Sequence, residues 1–319
     1  MEKQSTDEKG LDVRRKGMEK RIAYFNGEFI KESDAKISIY DRGFVYGDAA
    51  YDVARTYNHK PYHFEKHIDR LYRSLRYLRI DPMLTQQEML EITLKVSEYN
   101  VKFLKSNDDH RMVWRVTRGE GLRGPMSRTI KPTVLVICDE VPWRLFVRHY
   151  IEGGHLVMVN TRVEDPQSVD VKGKLHNKLA HVLADLEAQR IDPYATGLLL
   201  DMRGCIAEAT RANFFMVSKG RLLTPRIWSI LPGITRETIL ELAKELGIET
   251  TETDLFVYDL YNADEVFLSA SSPFIEPFSK VDTIPLNKPF PGPITKQLIS
   301  AFSERVGVDI VQQALSNAP

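Results

Sequence analysis

Residues Asp170 to Arg190, DVKGKLHNKLAHVLADLEAQR, constrain this chain more than any other stretch. Leu175, Leu179, Val182, Leu183 and Leu186 recur there at steps of three and four, the period of an amphipathic helix. Lys172, Lys174 and Lys178 crowd the expected opening turn. A helix N-terminus carries partial positive charge and disfavours cations. The same field pushes an ammonium toward its neutral form, which an amine nucleophile needs. Three solvated surface lysines is the simpler reading of this stretch by itself. The rest of the chain has to decide.

A length of 319 residues suits two domains, or one large one with a substantial core. Forty-four basic side chains balance forty-four acidic ones, so no net field draws nucleic acid or a membrane surface. Cys138 and Cys205 have no paired spacing, which points to a reducing compartment without structural disulfides or zinc. Residues 1–21 are charged and lack the apolar centre of a signal peptide, and no apolar run reaches membrane-spanning length. The expectation is a soluble, cytoplasmic protein with a flexible tail over 1–21.

Order begins at IAYFNGEFI, where Asn26-Gly27 between alternating apolar residues signals a hairpin. The next segment, ISIYDRGFVYGDAAYDVARTYNHKPYHF, reads as two strands joined by a loop around Asp41 to Gly47. Tyr51 lies in the second strand, as a cavity hydroxyl or a plain sheet aromatic. A helix follows, marked by Phe64, His67, Ile68, Leu71, Leu75 and Leu78, with Arg70 at the border of its apolar face. An arginine there aims its fork at an anion or snorkels to water. A second helix is expected over Gln86 to Lys105 and a strand over Arg111 to Thr117. His63 and His67 are four apart without a third ligand at recognised spacing, so no metal is assigned. Gly119 to Gly124, GEGLRG, matches a dinucleotide pattern, but Pro125 and the residues after it cannot open the helix that would hold a pyrophosphate. Arg123 in that loop is a candidate for a substrate carboxylate, or a residue of a surface loop.

A buried-type strand over Lys131 to Glu140 leads to a connector at 143–148, taken as the domain boundary. A strand around Leu156 to Val163 precedes the lysine-rich stretch, and a meander follows it. In the meander Glu208 shares strand parity with Ile206, so its carboxylate is at an exposed edge or buried with a cationic partner. Leu231-Pro232-Gly233-Ile234-Thr235 opens a helix with Thr235 as N-cap, and free amides at such a start suit a phosphate. Further on come a strand ending in a hydroxyl turn, Ser269 to Ser272, and a helix over Pro293 to Val306.

An amine, a downstream carboxylate, a phosphate-type helix start, a hydroxyl turn and an arginine on an earlier helix are what pyridoxal phosphate requires. In this order the segments resemble the class-IV aminotransferases, the fold-type IV pyridoxal-phosphate enzymes. GDAAYDVARTY, HIDRL, KLHN, AEATRANFF, LPGITRETI and VFLSASS carry the likeness, from about Ile22 to Phe302. It implies an α/β fold of two domains with the cofactor in the cleft between them. The small domain would span 22–142 and the large one, carrying the catalytic lysine, 149–319.

The resemblance makes Lys174 the Schiff-base lysine and proton shuttle, since it stands three residues before Asn177 as in the D-amino-acid branch; Lys172 is the rival. It makes Glu208 the partner of the pyridine nitrogen. Arg70, Ile234, Thr235 and Ser271 become the phosphate site, and Tyr51 and Arg123 substrate-binding residues. The histidine that the D-amino-acid branch carries two positions after the arginine is Pro125 here. The implied reaction moves an amino group between an amino acid or primary amine and a 2-oxo acid, with the donor open among branched-chain, D-amino-acid and (R)-amine types. A lyase like aminodeoxychorismate lyase is the alternative. The family also implies a homodimer.

Overall fold

The computed structural model describes residues 20–121, 130–286 and 289–318. Nearly all of the expected tail, and Arg123, lie outside the described residues. The chain forms two compact units, Met1–Val141 with Lys174–Asn177, and Pro142–Gly173 with Lys178–Pro319.

In the first unit β1 (Ile22–Phe25) and β2 (Glu28–Lys31) form the expected hairpin. Asn26 and Gly27 both take positive φ, the geometry that lets a two-residue turn match strand twist. Ile37 to Tyr40, expected as a strand, is irregular, and Asp41 instead caps a short helix α1 (Arg42–Tyr46) through the Gly43 N–H. Then come β3 (Ala49–Tyr57), β4 (Lys60–Pro61), α2 (Phe64–Leu78), α3 (Gln86–Val101), β5 (His110–Thr117) and β6 (Thr133–Glu140). Helix α3 stops short of Lys105, because tighter three-residue turns at Phe103 and Leu104 end it. The strands run in the order β2-β1-β6-β5-β3-β4. Met112, Trp114 and Val116 of β5 pack against Phe64, Ile68, Leu71 and Leu75 of α2. By strand alternation Arg111, Val113 and Arg115 belong to the opposite face.

The outer edge of β3 takes up residues 174–177. The Tyr51 N–H donates to the Lys174 carbonyl and the His176 N–H to the Ala49 carbonyl, each at 3.0 Å, with Ala50 bridged to Leu175. Leu175 packs with the core under α2, so Lys174 and His176, of opposite parity, belong to the other face. This corrects the sequence reading. Lys172 and Lys174 precede the helix rather than opening it, because a sheet edge satisfies backbone groups that a first helical turn leaves unpaired.

The second unit begins with α4 (Val147–Ile151) and β7 (Gly154–Arg162), followed by α5 (Leu179–Gln189), β8 (Thr196–Leu200), β9 (Ile206–Ala209), β10 (Ala212–Ser218) and β11 (Arg221–Pro225). After these come α6 (Ile234–Glu245), β12 (Thr250–Thr253), α7 (Val257–Tyr261), β13 (Glu265–Ala270), β14 (Phe274–Val281), β15 (Ile284–Pro285), α8 (Pro293–Val306) and α9 (Ile310–Asn317). The sheet order is β12-β11-β10-β13-β14-β7-β8-β9, and an extra β9–β10 pairing closes six of these strands into a ring. Helix α8 matches its expected range, whereas α9 was not anticipated; Asp309 caps it.

Helix α5 packs the reverse of what its sequence suggests. His181, Ala184 and Ala188 are buried, while Leu179, Val182, Leu183 and Leu186 are exposed. A Cβ on Gly197 of β8 would stand 2.9 Å from the Ala184 carbonyl oxygen. Only small side chains fit between backbones that close, so the bulky stripe turns outward. No helix among the described residues is long and apolar enough to cross a membrane.

Candidate active site

In the first unit the sheet edge sets the position of Lys174. Its N–H donates to Ser74 Oγ at 3.0 Å, and the Ser74 hydroxyl donates to the Arg70 carbonyl of α2. Its Nζ lies 4.8 Å from the centroid of the Tyr51 ring. Lys172, by contrast, is exposed and sits 3.3 Å from Asp170 on the solvent side.

Arg70 is buried, and its Nε and Nη2 donate to the two oxygens of Asp52, both at 2.8 Å. His67 Nδ1 lies 2.8 Å from Asp52 Oδ1. Burial alone would raise the Asp52 carboxyl, but the Arg70 guanidinium and then His67 overcome it and hold it far below the usual carboxylate range. Burial pushes His67 down despite Asp52, so the ring is neutral near pH 7 and its Nδ1–H donates to the carboxylate. The arginine is thus fixed by a buried carboxylate that a second donor fixes in turn. His67, to which the sequence assigns no metal, serves this cluster.

In the second unit Glu208 is buried in β9. Its Oε2 accepts from the Leu231 N–H and from Asn213 Nδ2, each at 3.0 Å. Its Oε1 lies 3.7 Å from His181 Nε2, beyond hydrogen-bond length, and takes no hydrogen bond among the described residues. Asn213 also donates to the Leu231 carbonyl, and Gly233 lies against Asn213 Oδ1 so closely that no Cβ fits. One amide thereby ties the carboxylate to the turn that starts α6.

That helix is capped at Gly233, not at Thr235 as expected, and no side chain caps it. The first backbone bond of the turn runs from the Glu237 N–H to the Gly233 carbonyl. The Ile234 and Thr235 amides have no acceptor among the described residues. Ser269, register partner of Asn213, keeps a buried hydroxyl without a hydrogen-bond partner among the described residues, and Ser271 is half-buried in the turn beyond β13.

The first unit therefore brings together Lys174, Tyr51 and Arg70, and the second ties Glu208 to the turn before Ile234 and Thr235; Ser271 lies two residues past Ser269. Sequence reasoning missed Asp52, Ser74, Asn213 and His181. A charged residue between Tyr51 and Val53 in a buried strand was the readable signal for Asp52.

A family model, amino-transferase class IV, matches residues 49–281. The chain belongs to the class-IV aminotransferases. This transaminase is 37% identical over 289 residues to a putative branched-chain-amino-acid aminotransferase of Methanocaldococcus jannaschii, covering 88% of this chain and 95% of that protein. It is similar to the crystal structure of Escherichia coli branched-chain amino acid aminotransferase, with a TM-score of 0.84 and 30% identity over 89% of this chain and 94% of that one. The branched-chain amino acid aminotransferase of Thermobaculum terrenum, crystallised in its PLP-bound holo form, gives a TM-score of 0.80 at 25% identity, covering 91% and 94%. The α/β, fold-type IV architecture expected from the motifs is the one shared with these neighbours.

Proposed function

We propose that this class-IV aminotransferase uses pyridoxal 5'-phosphate to move the amino group of a branched-chain L-amino acid to a 2-oxo acid. In this reading Lys174, Arg70, Glu208, Ile234, Thr235 and Ser271 hold the cofactor, Tyr51 borders the substrate, and Lys174 is the catalytic residue. The observation that carries it is Glu208, a buried carboxylate oriented through one oxygen, with the other left without a hydrogen bond among the described residues. Such an oxygen suits a protonated ring nitrogen. The unbonded amides at the start of α6 suit a phosphate.

When bound, the cofactor supplies an aldehyde and an electron-accepting ring. Asn213 and the Leu231 amide hold the Glu208 carboxylate in one orientation, and Asp52 does the same for Arg70. The Lys174 amine takes a proton from the donor α-carbon and later returns one, acting as base and then acid. The names of the relatives support a branched-chain donor, and the exposed apolar stripe of α5 supports a homodimer.

A half-reaction screen tests this. The protein reconstituted with pyridoxal phosphate is mixed with L-leucine, L-glutamate, D-alanine or (R)-1-phenylethylamine, and the cofactor spectrum is followed. The expected result is bleaching by L-leucine and L-glutamate alone. Bleaching by D-alanine or the amine without L-leucine overturns the donor assignment.

A further inference from the structure

The first sheet carries, beside Tyr51, a cation that the cofactor reading leaves unused. On the face away from α2, Arg115 of β5 stands in register with Tyr51 of β3 on one side and Leu135 of β6 on the other. Tyr51 in turn bonds through its backbone to Lys174 at the sheet edge. Lys174, Tyr51, Arg115 and Leu135 thus form one row across the sheet, and the row contains no acid. Arg111, four residues earlier on the same strand face, meets Asp139 across β6 and pairs with it at 2.6 Å. Arg115 meets a leucine and a tyrosine there instead, and no carboxylate among the described residues pairs with it. Its Cζ lies 5.8 Å from the Tyr51 ring centroid, and its Nη1 lies 3.4 Å from His176 Nε2. Lys174 Nζ approaches the same ring at 4.8 Å. The Tyr51 ring is flanked by a candidate catalytic amine and by an exposed guanidinium.

We propose that Arg115 holds the substrate carboxylate, with Tyr51 as the floor between that carboxylate and the amine of Lys174. The guanidinium fork matches a carboxylate through two parallel hydrogen bonds, and an arginine without an acidic neighbour has both to give. The substrate class this names is a carboxylate-bearing amino donor and acceptor, not a simple primary amine. The proposal rests on the assignment of Lys174.

Calorimetric titration of the cofactor-loaded protein with 4-methylvalerate, and separately with its uncharged amide, tests it. Wild type binds the acid more tightly than the amide. In Arg115→Gln the acid binds about 10- to 100-fold more weakly, as expected for lost charge-assisted hydrogen bonds, while the amide stays within about twofold. Arg115→Lys recovers part of the difference. KM for L-leucine rises by more than kcat falls. Unchanged acid affinity in Arg115→Gln, or equal loss of acid and amide, overturns the proposal. Borohydride reduction of the same variant separates the two claims. An adduct on Lys174 with unmoved acid affinity refutes Arg115 alone, whereas no adduct on Lys174 in wild type refutes the cofactor reading.

Discussion

Asp52 sits between two donors in a space closed to water, and its charge is what makes the burial of Arg70 tolerable. Removing one partner of such a pair leaves the other charged and uncompensated, at a cost of about 3–5 kcal/mol. Asp52→Asn is expected to lose stability on that scale in urea unfolding and to bind pyridoxal phosphate more weakly, since the carboxylate that orients Arg70 is gone. A variant within half that loss, with unchanged cofactor affinity, contradicts the role given to Asp52. Lys174, Glu208 and Arg70 are proposed from motifs in the sequence. Asp52, Asn213 and His181 were not legible there, because their importance comes from what folding sets beside them: an arginine on a later helix, a turn 18 residues downstream, a carboxylate across a strand.

At the scale of elements, α3 and β5 meet through a titratable group. His110 opens β5 with its Nε2 2.7 Å from Ser97 Oγ of α3, and its buried Nδ1 has no hydrogen-bond partner among the described residues. Burial pushes this imidazole down to about 4, against about 6.5 in an unfolded chain. Between those values the unfolded chain binds a proton that the folded one refuses. Stability is therefore full above pH 6.5 and falls as pH drops toward 4, by on the order of 3 kcal/mol from this group. His67 is displaced in the same direction and adds to the slope, while Asp52 contributes only below about pH 4, where its carboxylate protonates in the unfolded chain. Urea unfolding at pH 7, 5 and 4 is expected to show this decline, with a shallower slope in His110→Asn. Equal stability at pH 7 and 5 rules the account out.

The elements also show where sequence pattern misleads. The 15-residue helix α2 buries its periodic face as its spacing says, because a wide sheet lies under it. The stripe of α5 has the same period, yet faces outward, since Gly197 brings β8 too near for leucine. Periodicity identifies a helix and its apolar side. Which side meets the sheet depends on backbone spacing, which comes from another strand. The extended run at Lys174 was missed for a related reason, because the edge of β3 that captures it lies more than a hundred residues earlier.

At the scale of the whole molecule, the exposed apolar side chains include Ile39, Tyr40, Phe44 and Tyr46 in and just before α1, and Leu179, Val182, Leu183 and Leu186 on α5. Monomers seldom leave so much apolar surface in water. Light scattering is expected to give twice the chain mass of 36.6 kDa, and Leu183→Glu is expected to shift the protein toward one chain mass. A wild-type mass of one chain contradicts the dimer. The general architecture was legible because many short motifs fall in family order from GDAAYDVARTY to VFLSASS.

The proposed transamination requires Lys174 to carry the cofactor. Reduction of the reconstituted protein with borohydride, followed by peptide mass mapping, locates the attachment. The predicted result is a stable adduct on Lys174, absent from Lys174→Ala together with turnover. An adduct on Lys172 or another lysine, with turnover intact in Lys174→Ala, contradicts it.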